Sequence, residues 1–268
     1  MLNGTAAPNG NAPLPTGEAS SSAAADASSL ALAGHDEEQI RLMEEQCIVV
    51  SNDDQPLRAG SKKECHLMSN ILPPHSLLHR AFSVFLFHPE TGKLLLQKRA
   101  PEKITFPDMW TNTCCSHPLA VKGEMEVGED YVGVRRAAQR KLDHELGIPA
   151  GDVPLEHFKY LTRIHYLAEC KGGVWGEHEI DYILFITASP TLRPNENEVC
   201  DTKWVSPEEL RVLMDELDPE AFTPWFKLIV KRFLFPWWKL LLENKKDGEG
   251  YNADSVAHLR DDEIHRMV

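Results

Sequence analysis

Two thiols, a hydroxyl and an imidazole fill four consecutive positions, Cys114, Cys115, Ser116 and His117, inside the run WTNTCCSHPL (110–119). A thiol can act as a nucleophile or carry a proton, and an imidazole can do acid–base work or bind a metal. Thiols inside apolar strands are usually inert packing. These lie between polar residues and Pro118, in what reads as a loop, where function concentrates. The plainer alternative is a buried structural pair beside a hydrogen-bonded histidine. A second candidate is WGEHEIDY (175–182). If it enters a strand, Glu177 and Glu179 share a face, because side chains alternate with period 2. Neighbouring carboxylates repel unless a cation neutralises them or one keeps its proton. The alternative there is a solvated strand edge. The third feature is a scatter of imidazoles, His66 in KKECHL, His79 in LLHRAF and His117. Three imidazoles and two carboxylates compose a nitrogen–oxygen donor set suited to Mn, Zn, Fe or a tolerant Mg. Spacing alone does not bring them together.

Elements must do that. HDEEQIRLMEEQ (35–46) reads as a short helix and CIVV (47–50) as a first strand. RAFSVFLF (80–87), a turn at HPETGK and LLLQKR (94–99) read as a β-hairpin. Residues 129–146 read as a helix, with Val134, Ala138 and Leu142 on one stripe and Gly147 where a terminating glycine belongs. EIDYILFIT (179–187) is a β-branched, aromatic-rich strand. TPWFKLIVKRFLF places Thr223 as N-cap and Pro224 at the first turn of a helix that Pro236 should end or kink. Strands and helices interleave, so the expectation is an α/β (α+β) mixed sheet flanked by helices.

Composition narrows the function. Twenty-eight Lys and Arg against 41 Asp and Glu leave a formal charge of −13. A nucleic acid or anionic membrane would meet net repulsion, so an anionic substrate needs a local gathering of basic residues. No apolar run reaches the length that spans a bilayer; the most apolar, Phe233 to Leu242, contains Pro236 and Lys239. Six cysteines in 268 residues do not suit a secreted disulfide scaffold. The N-terminus lacks the pattern of a signal peptide. Residues 1–34 are rich in Ala, Ser, Gly, Pro and Asn and lack bulky apolar side chains, so disorder is expected there, with order starting near His35 and Asp36. A transit peptide is the rival reading, but the first basic residue is Arg41. The terminal HRMV is near a peroxisomal tripeptide but carries Val268, which leaves the cytoplasm as the expected compartment. The acidic tail 243–268 reads as a solvated cap over the active-site face.

LLHRAFSVFLF, KITFP, WTNTCCSHPL, RKLDHELGIP, LTRIHY, WGEHEIDYILF and TPWFK, in this order from about residue 36 onward, resemble the type I isopentenyl-diphosphate delta-isomerases, especially the fungal ones. That family is built on the Nudix fold, which implies a mixed β-sheet sandwiched by helices. The implied organisation is a disordered segment 1–35 and a single isomerase domain 36–268, with a Nudix-like core at about 79–228. The Nudix pattern R-E-U-x-E-E-x-G-U falls on RKLDHELGI (140–148). Arg140, Leu142, Glu145, Gly147 and Ile148 fit it, while Lys141 and His144 replace two glutamates. A Nudix diphosphohydrolase needs those carboxylates to hold metals that activate water. Their loss argues against hydrolysis. A non-catalytic metal- or diphosphate-binding protein is the remaining alternative, disfavoured by the presence of Cys115 and Glu179.

The resemblance implies interconversion of isopentenyl and dimethylallyl diphosphate through a tertiary carbocation, in isoprenoid and sterol biosynthesis. It implies Cys115 and Glu179 as the catalytic pair, with Tyr166 assisting proton delivery. It also implies a buried divalent site (Mg²⁺, Mn²⁺ or Zn²⁺) at His66, His79, His117, Glu177 and Glu179. A Mg²⁺ bound with the diphosphate falls to Glu145. Lys62, Arg99, Lys103, Lys141 and the Ser116 backbone match phosphate contacts, and Lys141 stands where some relatives carry Arg. Trp225 matches an aromatic placed over the cation. The implied partner is a small isoprenoid diphosphate and no nucleic acid, with the protein a monomer or weak homodimer.

Overall fold

The computed structural model describes residues 31–245 and 250–268. The chain divides into Met1–Gly34 and His35–Val268. Of the first unit only residues 31–34 are described, as a turn, and the expected disorder of 1–30 lies outside the described residues. In the second unit the strands are β1 (Gln46–Val50), β2 (Pro56–Ser61), β3 (His79–Phe87), β4 (Leu94–Arg99), β5 (Trp110–Thr111), β6 (Cys114–Ser116), β7 (Lys159–Glu169), β8 (Gly176–Thr187), β9 (Val199–Val205) and β10 (Ile264–Arg266). The helices are α1 (Glu37–Leu42), α2 (Lys62–His66), α3 (Met68–Ile71), α4 (Val132–Leu146), α5 (Pro207–Glu216), α6 (Pro224–Ile229) and α7 (Phe235–Glu243).

The sheet runs β10-β7-β8-β3-β1-β2; β6 also pairs β3, and β4 carries β5 and β9. Its centre is the parallel pair β3–β8, in register from His79 opposite Glu179 to Phe87 opposite Thr187. All of β3 is buried, as its nearly continuous apolar run suggests for a strand covered on both faces. The even-numbered residues Phe82, Val84, Leu86, Ile180, Tyr182, Leu184 and Ile186 share one core with Val134, Ala137, Ala138 and Leu142 of α4. On the opposite face Phe85 stacks on Phe226 at 6.3 Å and Phe87 meets Trp238 at 5.5 Å, so α6 and α7 cover one end. Toward the other end the same face carries His79, Ser83, Glu177, Glu179 and Asp181. The site lies where aromatic cover stops.

Helix α4 closes as expected. Gly147 has φ of 63°, and its N–H and that of Ile148 bond back to Asp143 and Leu142. A β-carbon at Gly147 would come within 2.5 Å of the Arg193 carbonyl oxygen, so two constraints favour glycine there. The start of the helix differs from the expectation. Residues 129–131 form a 3₁₀ turn in which Asp130 and Tyr131 have positive φ, and the α-helix begins at Val132.

Four other local expectations are corrected. The hairpin between residues 80 and 99 exists only at its turn: β3 and β4 share the pair Phe87–Leu94, after which β4 leaves to pair with β9. The segment 110–119 contains the short strands β5 and β6, with Cys115 opposite Ser83. Pro236 does not end its helix. A π-helical turn, Val230–Leu234, joins α6 to α7 and puts the proline in the first turn of α7, where its missing N–H costs no bond. The tail is no solvated cap, since β10 adds in parallel to β7, and Ala253 and Val256 are buried.

Candidate active site and metal centre

The register of β3 and β8 puts His79 beside Glu179, and β6 leads His117 to the same place. The short helix α2, capped by Ser61 accepting from the Glu64 N–H, supplies His66. Donor atoms of His66, His79, His117, Glu177 and Glu179 all lie within 4.8 Å of one another, and all five residues are buried. His66 Nε2 is 2.8 Å from Glu177 Oε2; His117 Nε2 and His79 Nε2 are 2.8 and 3.3 Å from Glu179 Oε1. His66 Nδ1 donates to the Lys62 carbonyl at 2.6 Å, which fixes the tautomer that leaves Nε2 free for a metal. His66 Nε2, both nitrogens of His79 and Glu177 Oε2 are buried without a well-aligned hydrogen bond. Such atoms carry a desolvation cost unless something binds them. Burial and then His66 and His79 push the His117 imidazole far below its usual range, keeping it a neutral donor. A divalent cation fits this set.

Glu179 turns its other oxygen to Tyr166, whose hydroxyl donates to Oε2 at 2.5 Å. Burial works to raise the Glu179 carboxyl, but the neighbouring His79 imidazole, then Glu177 and the Tyr166 hydroxyl, outweigh it and hold the group below its usual range. Cys115 approaches from the other side of β3. Because neighbours on a strand point oppositely, Cys114 enters the apolar core with α4 while Cys115 lines the cavity with Tyr166, Glu179 and Trp225. Burial pushes the Cys115 thiol up to about 12, opposed first by the Arg99 guanidinium, whose nearer nitrogen is 3.7 Å from the sulfur. Trp225 is fixed by its indole N–H donating to Asn112 Oδ1 at 3.2 Å, and its ring faces Tyr166 at 6.1 Å and Phe106 at 5.4 Å. Thr223 precedes the helix as expected, but its hydroxyl pairs with Thr111 instead of capping.

Lys62, Arg99, Lys103 and Ser116 line the same cavity. Arg99 is anchored by bonds to the Phe106 and Thr105 carbonyls. Lys141 is not among the lining residues. It lies buried behind them, its Nζ 3.3 Å from Glu145 Oε1 and 3.0 Å from His144 Nδ1. Gln97 donates to Glu145 Oε2 at 3.0 Å. Of the two positions where the helix departs from the hydrolase pattern, Lys141 thus sets a cation on Glu145 and His144 bonds to that lysine. Among the described residues no second group of three metal-ligating side chains forms there.

Two buried acids went unread in the sequence. Asp181 lines the cavity and accepts from Ser83 Oγ at 2.8 Å; burial and then Glu179 raise its carboxyl well above the usual range. Its place two residues after Glu179 is a period-2 signal that could have found it. Glu198 lies 2.5 Å from Lys103 Nζ. It sits in the polar run NENEVC, which looks like any solvated loop.

A NUDIX domain profile matches residues 77–226. The chain is 56% identical over 238 residues to an isopentenyl-diphosphate delta-isomerase of Phaffia rhodozyma, covering 89% of this chain and 94% of that one. It is 58% identical over 246 residues to that of Aspergillus fumigatus, covering 88% and 83%. For the Schizosaccharomyces pombe protein of the same name the identity is 54% over 235 residues, covering 87% and 95%.

Proposed function

The chain belongs to the isopentenyl-diphosphate delta-isomerase family and carries its NUDIX domain, and from that premise we propose that Cys115 and the Glu179–Tyr166 couple are the two proton-transfer groups of the interconversion of isopentenyl and dimethylallyl diphosphate. One observation carries this reading: the two groups stand on the strands flanking β3, Cys115 opposite Ser83 and Glu179 opposite His79, and enter one cavity from its two sides.

An unactivated alkene is a poor base, so protonating it needs a strong donor held in place with water excluded. Glu179, with Tyr166 bonded to it, gives a proton to the terminal methylene carbon, leaving a tertiary cation. A different proton then leaves the allylic carbon for the Cys115 sulfur, and the new double bond forms. Cys115 ends the turnover as the thiol that burial favours, and Glu179 as the carboxylate that its hydrogen bonds favour. Exchange with solvent resets both, and the reverse reaction exchanges their parts. The Trp225 face stabilises the cation by about 2 kcal/mol once desolvated. A divalent ion held by His66, His79, His117, Glu177 and Glu179 supplies positive charge that neutralises the two carboxylates and makes a protonated Glu179 a stronger acid.

Lys62, Arg99, Lys103 and the Ser116 backbone receive the diphosphate, with Lys141 behind them. Glu145 would help hold the Mg²⁺ that accompanies it. Catalysis is assigned to residues 36–268. No helix among the described residues is long and apolar enough to cross a membrane. All six cysteines are free, which supports a reducing compartment, the cytoplasm, and a monomer or weak homodimer completes the reading. Incubation with isopentenyl diphosphate and Mg²⁺ tests it: allylic product without free phosphate supports isomerisation, and phosphate release without allylic product supports the hydrolase instead.

A further inference from the structure

Glu198 is buried one residue ahead of β9, in a turn closed by the N–H groups of Glu198 and Val199 donating to the Asn195 carbonyl at 2.9 and 2.8 Å. Its Oε2 is 2.5 Å from Lys103 Nζ and 3.9 Å from Lys141 Nζ. Those cations come from different elements, the loop after β4 and helix α4. Among the described residues Glu198 is the carboxylate paired with both. Its Oε1 accepts from Gln39 Nε2 at 2.8 Å. Gln39 belongs to α1, far away in sequence, and its amide also donates to Asn197 Oδ1 at 2.7 Å and to the Asn197 carbonyl at 3.1 Å. Asn197 in turn donates to Asp36 Oδ1 at 2.9 Å, the oxygen that caps α1 by accepting from the Glu38 and Gln39 N–H groups. One chain of bonds thus runs from the cap of α1 to two buried ammonium groups.

Buried ammonium groups repel one another and lose their hydration, so without a fixed anion they turn toward water or lose a proton. Burial acts on Lys103 in that sense, Glu198 opposes it, and Arg99, Lys62 and Lys141 add to it. An ammonium group has three N–H donors, so a bond to Glu198 leaves others for a ligand. Held on its second oxygen by Gln39, the Glu198 carboxylate stays in place when an anion arrives. We infer that Glu198, braced by Gln39 of α1, is a positioning residue that sets Lys103 to receive the substrate diphosphate and holds Lys141 behind it, so that the N-terminal helix supports the binding floor without touching the substrate. This deepens the reading above and rests on its assignment of Lys103 to the diphosphate.

The test compares the full chain with Lys103→Met, Glu198→Gln, Glu198→Asp, Gln39→Ala and the double variant Lys103→Met/Glu198→Gln. For each, kcat, KM for isopentenyl diphosphate and the inhibition constant of inorganic pyrophosphate are measured at fixed free Mg²⁺. Glu198→Gln should raise KM and the pyrophosphate constant by roughly tenfold with kcat within about threefold, the pattern of lost uniform binding. Gln39→Ala should raise both by about threefold, and Glu198→Asp should recover part of the loss. The double variant should bind pyrophosphate no worse than Lys103→Met alone, because Glu198 acts through that lysine. A general structural defect would instead add to the Lys103 loss. If Lys103→Met weakens binding while Glu198→Gln leaves it unchanged or tightens it, the positioning role is wrong and the pocket assignment stands. If Lys103→Met itself changes neither constant, the pocket assignment fails. Should Glu198→Gln not fold, Gln39→Ala decides, and unchanged constants there overturn the inference.

Discussion

Tyr166 and Glu179 face each other across the β7–β8 ladder as a register pair, and the tyrosine hydroxyl donates to Glu179 Oε2 at 2.5 Å while the histidines occupy Oε1. In the proposed mechanism the carboxylate is therefore divided between a metal side and a proton-transfer side. Removing the hydroxyl leaves the metal side intact. Tyr166→Phe should lower kcat by about 10²-fold, within the range for one general acid–base group, and leave metal content and KM nearly unchanged. Metal analysis with steady-state kinetics checks this; loss of metal with kcat intact would reverse the division.

The adjacent thiols separate cleanly. Cys115→Ala should abolish isomerisation, and Cys114→Ala should retain substantial activity at a modest cost in melting temperature, since Cys114 packs in the core with α4. Equal loss in both variants, with folding intact by circular dichroism, would count against Cys115 as the proton-transfer thiol.

A basic limb is expected in the pH profile. Burial lowers the Lys103 ammonium from its ordinary value to about 8, with Glu198 opposing and Arg99, Lys62 and Lys141 reinforcing the shift. Lys103 is charged below that pH and neutral above it, so kcat/KM, which reports the free enzyme, should fall as pH rises through about 8. Lys103→Arg keeps its charge throughout and should move the limb to higher pH. An unmoved limb assigns it to another group.

The two metal roles are separable by substitution. Glu145→Gln should weaken Mg²⁺-dependent substrate binding and leave the tightly held ion at the His/Glu site in place. Glu179→Gln should cut kcat severely and also lower metal content, because one side chain is both ligand and proton-transfer group. Elemental analysis of the purified variants beside their kinetics distinguishes them. If Glu145→Gln empties the tight site while Glu179→Gln stays active, the assignments are interchanged.

How legible this was differs residue by residue. Cys115, Tyr166 and Glu179, the proposed proton-transfer groups, lie in contiguous motifs, so the family resemblance could point to them. That His79 meets Glu179 could not be read from periodicity, because it depends on parallel pairing of strands about a hundred residues apart. The alternation that separates Cys114 from Cys115 follows once 114–116 is a strand, but polar neighbours and Pro118 made the run look like a loop. Local signals fixed the end of α4 at Gly147. They misled at Pro236, where a π turn absorbs the proline, and in the acidic tail, which finds a sheet edge at β7. Glu198 was invisible because nothing local marks a loop carboxylate as the partner of two buried lysines.

The central claim is that one group adds a proton and a different group, across β3, removes another. Conversion of isopentenyl diphosphate in D₂O, stopped within the first turnover and followed by mass spectrometry and NMR of the allylic product, tests it directly. With Glu179 and Tyr166 equilibrated with solvent, dimethylallyl diphosphate should carry one deuterium, located in a methyl group, and the allylic proton should be lost to the medium. Product that retains every original proton would mean that a single group carries the hydrogen from the allylic carbon to the terminal one, and the two-sided arrangement of Cys115 and Glu179 would then be wrong.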